Sequence, residues 1–360
     1  MTYRKSPANE SVEAITKIVG NQNVPCFFNG LEEEYKAIRE EVAVLDFSFN
    51  TFLKVSGDAA ASFLQEIITK DLDYLTEEQT VNCLMLDEDG HLVADLTVYV
   101  MENGYILEIE PSLSEKAQDY LQSRLKDGVV IENLAGKLHM IQLEGPKSWE
   151  VAQSLLPFPI EILPYKNFAP FNFEGHNLYI ARLGYTAEYG YKVFGPEAGI
   201  NLFWKALFAY DLSEINIRQI GLDALDVCRL EVRFPDLSKE ATSSKLIVES
   251  GVNWLLDFNK EFIGKDKNLE GLTSGLSQVL VCFTSDSKIS KNQNIIVDGN
   301  KVGYIQHALY SPGLNRNIGV AYLDEMYVAS GLTFTLDNDM TIKTVSSPMI
   351  YPKSLSIRIG

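Results

Sequence analysis

The sequence predicts an α+β fold with antiparallel sheets, arranged as two α+β units followed by an all-β module. Three observations lead there. Residues 81–110, VNCLMLDEDGHLVADLTVYVMENGYILEIE, alternate apolar and polar positions around DEDG and ENG, the pattern of three antiparallel strands joined by two tight turns. A strand running into a helix occurs twice, at FLKVSG into DAAASFLQEIIT and at KLHMIQLEG into PKSWEVAQSLL. Beyond GLTSGLSQ, residues 271–278, the chain is β-patterned with Gly and Asn turns. At 360 residues it exceeds the usual size of one core, so two or three domains are expected.

Taken in order, residues 31–44, LEEEYKAIREEVAV, predict an amphipathic helix. FLKVSG at 52–57 predicts a strand, and Asp58 is placed to cap the helix that follows. After the three-stranded meander, SLSEKAQDYLQSRL predicts a helix with Ser112 as N-cap. In the second unit Pro146 suits a first helical position. Four prolines between Pro157 and Pro170 mark an irregular connection. LGYTAEYGYKVF, residues 183–194, then reads as two strands around a turn, followed by the helix NLFWKALFAY. Leu222, Leu225 and Leu230 of GLDALDVCRLEVRF, residues 221–234, suit a helix packed on the core.

Composition narrows the function classes. Hydrophobic residues make up 46% and charged residues 22%, the profile of a folded globular chain. A net charge of −18 disfavours nucleic acid and anionic membrane as partners, because phosphate binding requires clustered Lys and Arg. No apolar run approaches the roughly 18 residues of a membrane span, and the first residues lack a signal-peptide stretch, which places the protein in the cytoplasm. Cys26, Cys83, Cys228 and Cys282 form no CxxC pair, and the four histidines show no ligand spacing. A metal site is not expected.

Three charged residues sit where charge is costly. Glu188 lies between Gly184 and Gly190 among tyrosines. It is either a solvated turn acid or a carboxylate offering two acceptors to the amidine-like edge of a ring such as a pterin. Arg229 occupies the middle of an apolar helical segment, either ion-paired with Asp226 or Glu231 for structure, or holding a substrate carboxylate or the pocket acid. Asp95 interrupts the apolar strand LVADLTVYV. It is either an outward position on a one-sided sheet or a paired or functional acid.

The order of LKVSGDAA, LMLDEDGHLVADLTVYV, IQLEGP, GYTAEYGYKVF, GLDALDVCRLE, VNWLLDFNKEFIGK and VGYIQHALYSPGLNRNIGVAYL resembles the glycine cleavage T-protein family, tetrahydrofolate-dependent aminomethyltransferases. The resemblance extends from about residue 25 to the C-terminus. It implies a three-domain cloverleaf around a hole that admits folate, with two α+β domains and a C-terminal β-barrel. The implied division is residues 1–275, folate-binding, built from 1–50 with 137–275 and from 51–136, and residues 276–360 as the barrel. By the same resemblance Glu188 in GYTAE is the pterin anchor. Asp95 lies near the folate nitrogens that take the one-carbon unit, and Arg229 matches the arginine of LRLE.

The chain also departs from the family's pattern. Ala94 replaces the first of two aspartates, and Leu225 the first of two arginines. Phe49 stands at the histidine of FDVSHM, Glu110 at an asparagine, and His307 with Ala308 at Ser and Gly. These changes fall mainly on the substrate side. The leading reading is therefore a tetrahydrofolate-dependent transferase moving a methyl or related one-carbon group to or from a small amine, ether or sulfonium. The glycine cleavage reaction, with substrate arriving on the lipoyl arm of a carrier protein, and a non-catalytic folate-binding relative are the alternatives. In this assignment Asp95 acts in catalysis, while Glu188, Arg229, Tyr185 and Trp254 bind the cofactor. Phe49, Tyr105, Glu110 and His307 face the substrate.

Overall fold

The computed structural model describes residues 3–209 and 215–359. Three sheets dominate. A five-stranded antiparallel sheet has the order Thr80–Leu86, Leu92–Met101, Gly104–Ile109, Thr51–Ser56, Val130–Asn133. A six-stranded sheet runs Phe168–Phe173, His176–Ala181, Gly190–Gly195, His139–Glu144, Val42–Asp46, Ile217–Gln219. Its last pair is parallel and the rest antiparallel. Six strands between Gln278 and Val345 close a barrel. The α+β class, the three-stranded meander and the C-terminal barrel thus stand as the sequence predicts.

Each of the two open sheets has one face covered by helices. Leu96, Val98, Leu107 and Ile109 pack against Phe63, Leu64 and Tyr120 of the helices Ala60–Ile67 and Pro111–Ser123. Ile141, Leu143 and Val193 pack against Val151 and Phe203 of the helices Ser148–Leu155 and Glu197–Ala209. The other faces share a third core, where Phe52, Tyr99 and Ile106 of the first sheet meet Leu45, Met140 and Phe194 of the second. The helix Leu222–Val232 ties this core to the barrel. Its Leu225 and Cys228 enter the shared core, while Leu230 packs on Leu280, Ile318 and Val320 of the barrel.

Several local expectations are corrected. The helix predicted over 31–44 ends at Glu40, and Val42–Asp46 is a strand buried at every position. Val42 and Val44 favour the extended state, and pairing on both sides outweighs the helical period of the preceding turns. Asp58 does not cap its helix. The N-cap is Ala59, with no side-chain cap bond. Ser112 lies inside its helix, because Pro111 takes the first position and Glu110 is the N-cap. Pro146 precedes a helix that begins at Ser148. Pro170, expected in irregular chain, sits in the strand Phe168–Phe173, an edge position where a missing N–H costs little. GLTSGLSQ holds the end of the helix Lys265–Ser274 before the barrel's first strand starts at Gln278. Tyr210, assigned to NLFWKALFAY, lies outside the described residues. No helix among them is long and apolar enough to cross a membrane.

A close crossing of the chain on itself fixes the loop at 184–189. A Cβ on Gly190 would lie 2.4 Å from the Cα of Gly184 and 2.6 Å from the carbonyl oxygen of Leu183, so the loop folds back on its own strand only because both positions are glycine. Gly190→Ala is expected to cost about 2–4 kcal/mol, in the range of core overpacking and backbone strain, measurable by chemical denaturation.

Candidate functional site

The faces of the two sheets that meet at the shared core are not wholly apolar. Strand alternation puts Asp95, Thr97 and Tyr99 on the side of the first sheet away from its helices, and register places Asn82 and Glu108 beside Thr97. Asp95 is therefore a half-buried residue on the inner face of the sheet, not on an outer one. It borders a chamber against the first sheet, the inner of two, which has about 330 Å³ of space that also opens to solvent, together with Asn50, Glu108, Glu110, Tyr185 and Arg229.

An outer cavity adjoins it, enclosing about 540 Å³ of space that opens to solvent. Asn50, Glu110, Tyr185 and Arg229 border both and form the partition. The outer cavity has an aromatic and aliphatic side, with Phe47, Phe49 and Leu225, and a charged side, with Asp226, Asp236 and Lys239. Phe49 packs edge-on against Phe47 with ring centroids 5.6 Å apart, and also borders two further surface cavities.

The partition is held by charge. Arg229 donates from Nη1 to Glu110 Oε1 at 3.0 Å and from Nη2 to the Pro235 carbonyl at 2.5 Å, with Asp236 at 4.0 Å. Its guanidinium lies 5.1 Å from the centroid of Tyr185 and 5.6 Å from that of Phe234. Burial works against the charge, but Asp236 and Glu110 more than offset it and hold Arg229 above its ordinary pKa. Its Nε is buried and has no hydrogen-bond partner among the described residues.

The Asp95 carboxyl likewise makes no hydrogen bond to a described residue. Burial, reinforced by the negative charge of Glu110 and opposed by Arg229, pushes its pKa up to about 8. An unpartnered acid of this kind, which holds its proton at neutrality, is suited to giving the proton up during a reaction.

Behind the inner chamber the two sheets are pinned together by a buried ion pair. Lys192, from the strand Gly190–Gly195, places Nζ 2.7 and 2.8 Å from the two oxygens of Glu108, and 2.6 Å from Tyr185 Oη. Tyr185 is fixed at its backbone by Glu144, which accepts from Tyr185 N at 2.8 Å and from Thr186 Oγ1 at 2.7 Å. Lys192, Glu108, Glu144 and Asn50 are absent from the residues that sequence alone singles out. Lys192 interrupts GYKVFG as Asp95 interrupts its own strand, and the cost of burying a charge there marks it equally.

Glu188 is not in the site. Ala187 at φ +59° turns the chain so that the Glu188 carboxylate points away from Tyr185 toward the C-terminal segment. There it accepts from Ser354 N at 2.8 Å, Ser354 Oγ at 2.6 Å, Lys353 N at 3.1 Å and Arg39 Nη1 at 3.3 Å. Its side chain is fully buried and borders neither chamber. The expected pterin anchor thus has its acceptors taken by the protein's own donors, away from both chambers.

Of the other expected residues, Tyr185, Arg229, Phe49 and Glu110 border the chambers and three do not. Tyr105 stands on the opposite face of its strand, packed toward the helices. Trp254 is 51% exposed in a short 3-10 turn, apart from either chamber. His307 lies on a barrel strand opposite Val320, outside both linings, and burial together with Lys239 lowers its pKa. Trp254→Ala should leave stability within about 0.5 kcal/mol of the wild type in a denaturant titration, as for surface substitutions generally, and ligand affinity unchanged. Among the described residues no cluster of His, Cys, Asp and Glu is arranged to hold a metal ion.

Comparison with known proteins places this architecture. Residues 8–260 match the GCVT N-terminal domain family, and residues 278–351 match the glycine cleavage T-protein C-terminal barrel domain. An aminomethyltransferase of Exiguobacterium sibiricum is 27% identical over 356 residues, 96% of this chain and 97% of that protein. An aminomethyltransferase of Chloroherpeton thalassium is 31% identical over 310 residues, 84% of this chain and 85% of that protein. The crystal structure of the glycine cleavage system aminomethyltransferase T from Bartonella henselae superposes with a TM-score of 0.85 at 19% identity, covering 96% of each chain.

Proposed function

Since the chain belongs to the glycine cleavage T-protein family, we propose that it is a tetrahydrofolate-dependent one-carbon transferase of the aminomethyltransferase type, with the inner chamber as the transfer site. The relatives favour this reading over transfer to or from an unrelated ether or sulfonium. So does the site, since Glu110, the acid expected to face the substrate, is already ion-paired with Arg229 and is not free to hold a substrate cation.

The observation that carries the proposal is the unpartnered Asp95 carboxyl on the wall of a chamber bounded by Tyr185 and Arg229. The donor set suits a reduced folate. Phe47, Phe49 and Tyr185 offer ring faces, Asp95 and the second oxygen of Glu110 are free acceptors, and Arg229 Nε is an orphaned donor. Bound tetrahydrofolate would supply the nitrogens that accept the one-carbon unit.

The protein's own contribution is positioning and proton handling. Asp95, protonated at neutral pH, gives its proton to the departing amine. The carboxylate left behind stabilises positive charge developing on the one-carbon unit. Arg229 holds Glu110 in the partition and limits the charge near Asp95. Phe49 and Phe47 keep water from the ring side of the outer cavity.

The test is single-turnover assay of the full chain with tetrahydrofolate and, in parallel, an aminomethyl-loaded lipoyl carrier protein, a methylated amine and a methylsulfonium. Formation of one-carbon-substituted folate from the lipoyl-bound substrate alone supports the proposal. Turnover confined to the methylated amine or the sulfonium would replace it with the broader transferase reading.

A further inference from the structure

Hydrogen counting at the buried ion pair gives Tyr185 a direction. Glu108 receives four hydrogen bonds from three groups: Lys192 Nζ at both oxygens, Asn50 Nδ2 at 2.9 Å on Oε1, and Tyr99 Oη at 2.7 Å on Oε2. A carboxyl group with every lone-pair site receiving a hydrogen is ionised. Lys192, only 1% exposed at the side chain, is therefore the ammonium that balances it. An ammonium has three hydrogens and accepts none. Its three neighbours within bonding distance are the two Glu108 oxygens and Tyr185 Oη. Tyr185 Oη must then accept from Lys192. Its own O–H hydrogen finds no acceptor among the described residues, although the ring borders both chambers.

We propose that Tyr185 is a hydrogen-bond donor to the bound ligand, and that Lys192 and Glu108 are positioning residues that force this orientation. The ligand class it selects presents an acceptor at the partition, such as a ring carbonyl oxygen or an unprotonated ring nitrogen. The proposal rests on the folate reading for the identity of that ligand, but not for the direction of the hydroxyl. Lys192 also polarises the O–H it donates to, which strengthens the outgoing bond. A tyrosine hydrogen-bonded back into the protein would lack this selectivity.

Two readouts test it on the full chain. The first needs no ligand: the difference Raman spectrum of wild type against Tyr185→Phe isolates the Fermi doublet of Tyr185, whose intensity ratio reports whether the hydroxyl mainly accepts or mainly donates. A ratio shifted to the accepting side is expected, and a donor-dominated ratio overturns the proposal whatever the ligand. The second is calorimetric titration of tetrahydrofolate, under anaerobic conditions, into wild type, Tyr185→Phe, the isosteric pair Lys192→Met with Glu108→Met, and the triple variant. Tyr185→Phe should bind roughly tenfold more weakly, the scale of one net hydrogen bond. The paired Met variant should also weaken binding, and adding Tyr185→Phe to it should cost much less than it does alone. Equal affinity of wild type and Tyr185→Phe, or losses that multiply independently, overturns it. If wild type binds no tetrahydrofolate, the folate reading fails, and the Raman ratio alone decides the hydroxyl's direction.

Discussion

Glu188→Ala is expected to cost about 3–5 kcal/mol of folding stability, the cost of removing one partner from a buried charged network. The wild-type carboxylate takes three hydrogens from Lys353 and Ser354 and a fourth from Arg39, the contact to Lys353 being part-buried and the other three buried. Arg39 keeps Glu231 at 2.8 Å and the Thr186 and Cys228 carbonyls, so the guanidinium itself is not stranded. The loss falls chiefly on the buried amide and hydroxyl of Ser354, each worth about 1–3 kcal/mol when left unsatisfied, and less on the part-buried Lys353 amide. Chemical denaturation should show the loss, and hydrogen exchange should localise it, with Lys353 and Ser354 exchanging before the barrel. Ligand affinity of the folded fraction should match the wild type, which separates this role from that of a pterin anchor.

The second large effect is at Asp95. Asp95→Asn keeps the shape and removes the transferable proton, so turnover should fall by about 10²–10⁴-fold, the usual contribution of general acid–base catalysis. Stability should move the other way at high pH. The folded pKa of about 8 lies above the unfolded carboxylate value of roughly 3.9, so the native state holds the proton more tightly. The stabilisation from that proton is complete below the unfolded pKa and is lost as pH rises through about 8. Asp95→Asn should remove this loss and be more stable than wild type at pH 9 by on the order of 5 kcal/mol. Denaturation at pH 5 and pH 9 measures the difference. The wild-type kcat/KM should fall above about pH 8 as Asp95 ionises, and the variant should show no such limb.

These two residues show how far the sequence alone reaches. Asp95 is legible because an acid inside an apolar strand is costly wherever it faces, and the sheet turns it toward a chamber. Arg229 is legible for the same reason, although its partner is Glu110 rather than Asp226 or Glu231. The surroundings of Glu188 are not legible, because its partner Ser354 is 166 residues away and nothing near GYTAE signals it. The helix expected over 31–44 stops at Glu40 through long-range pairing: Val42 and Val44 are committed to strands that arrive from residues 139–144 and 217–219. Lys192 and Glu108 each lie in strands that the apolar pattern marks. Their meeting depends on two sheets facing one another, which periodicity along a single chain does not encode.

The most direct test of the transfer site is a crystal structure of the wild type soaked with 5-methyltetrahydrofolate. The pterin ring is expected at the partition, within hydrogen-bond distance of Asp95 and Tyr185, with the Glu188 carboxylate still bound to Ser354. A ring seated against Glu188, with the C-terminal segment displaced, or lodged in a surface cavity beyond Phe49, would contradict it.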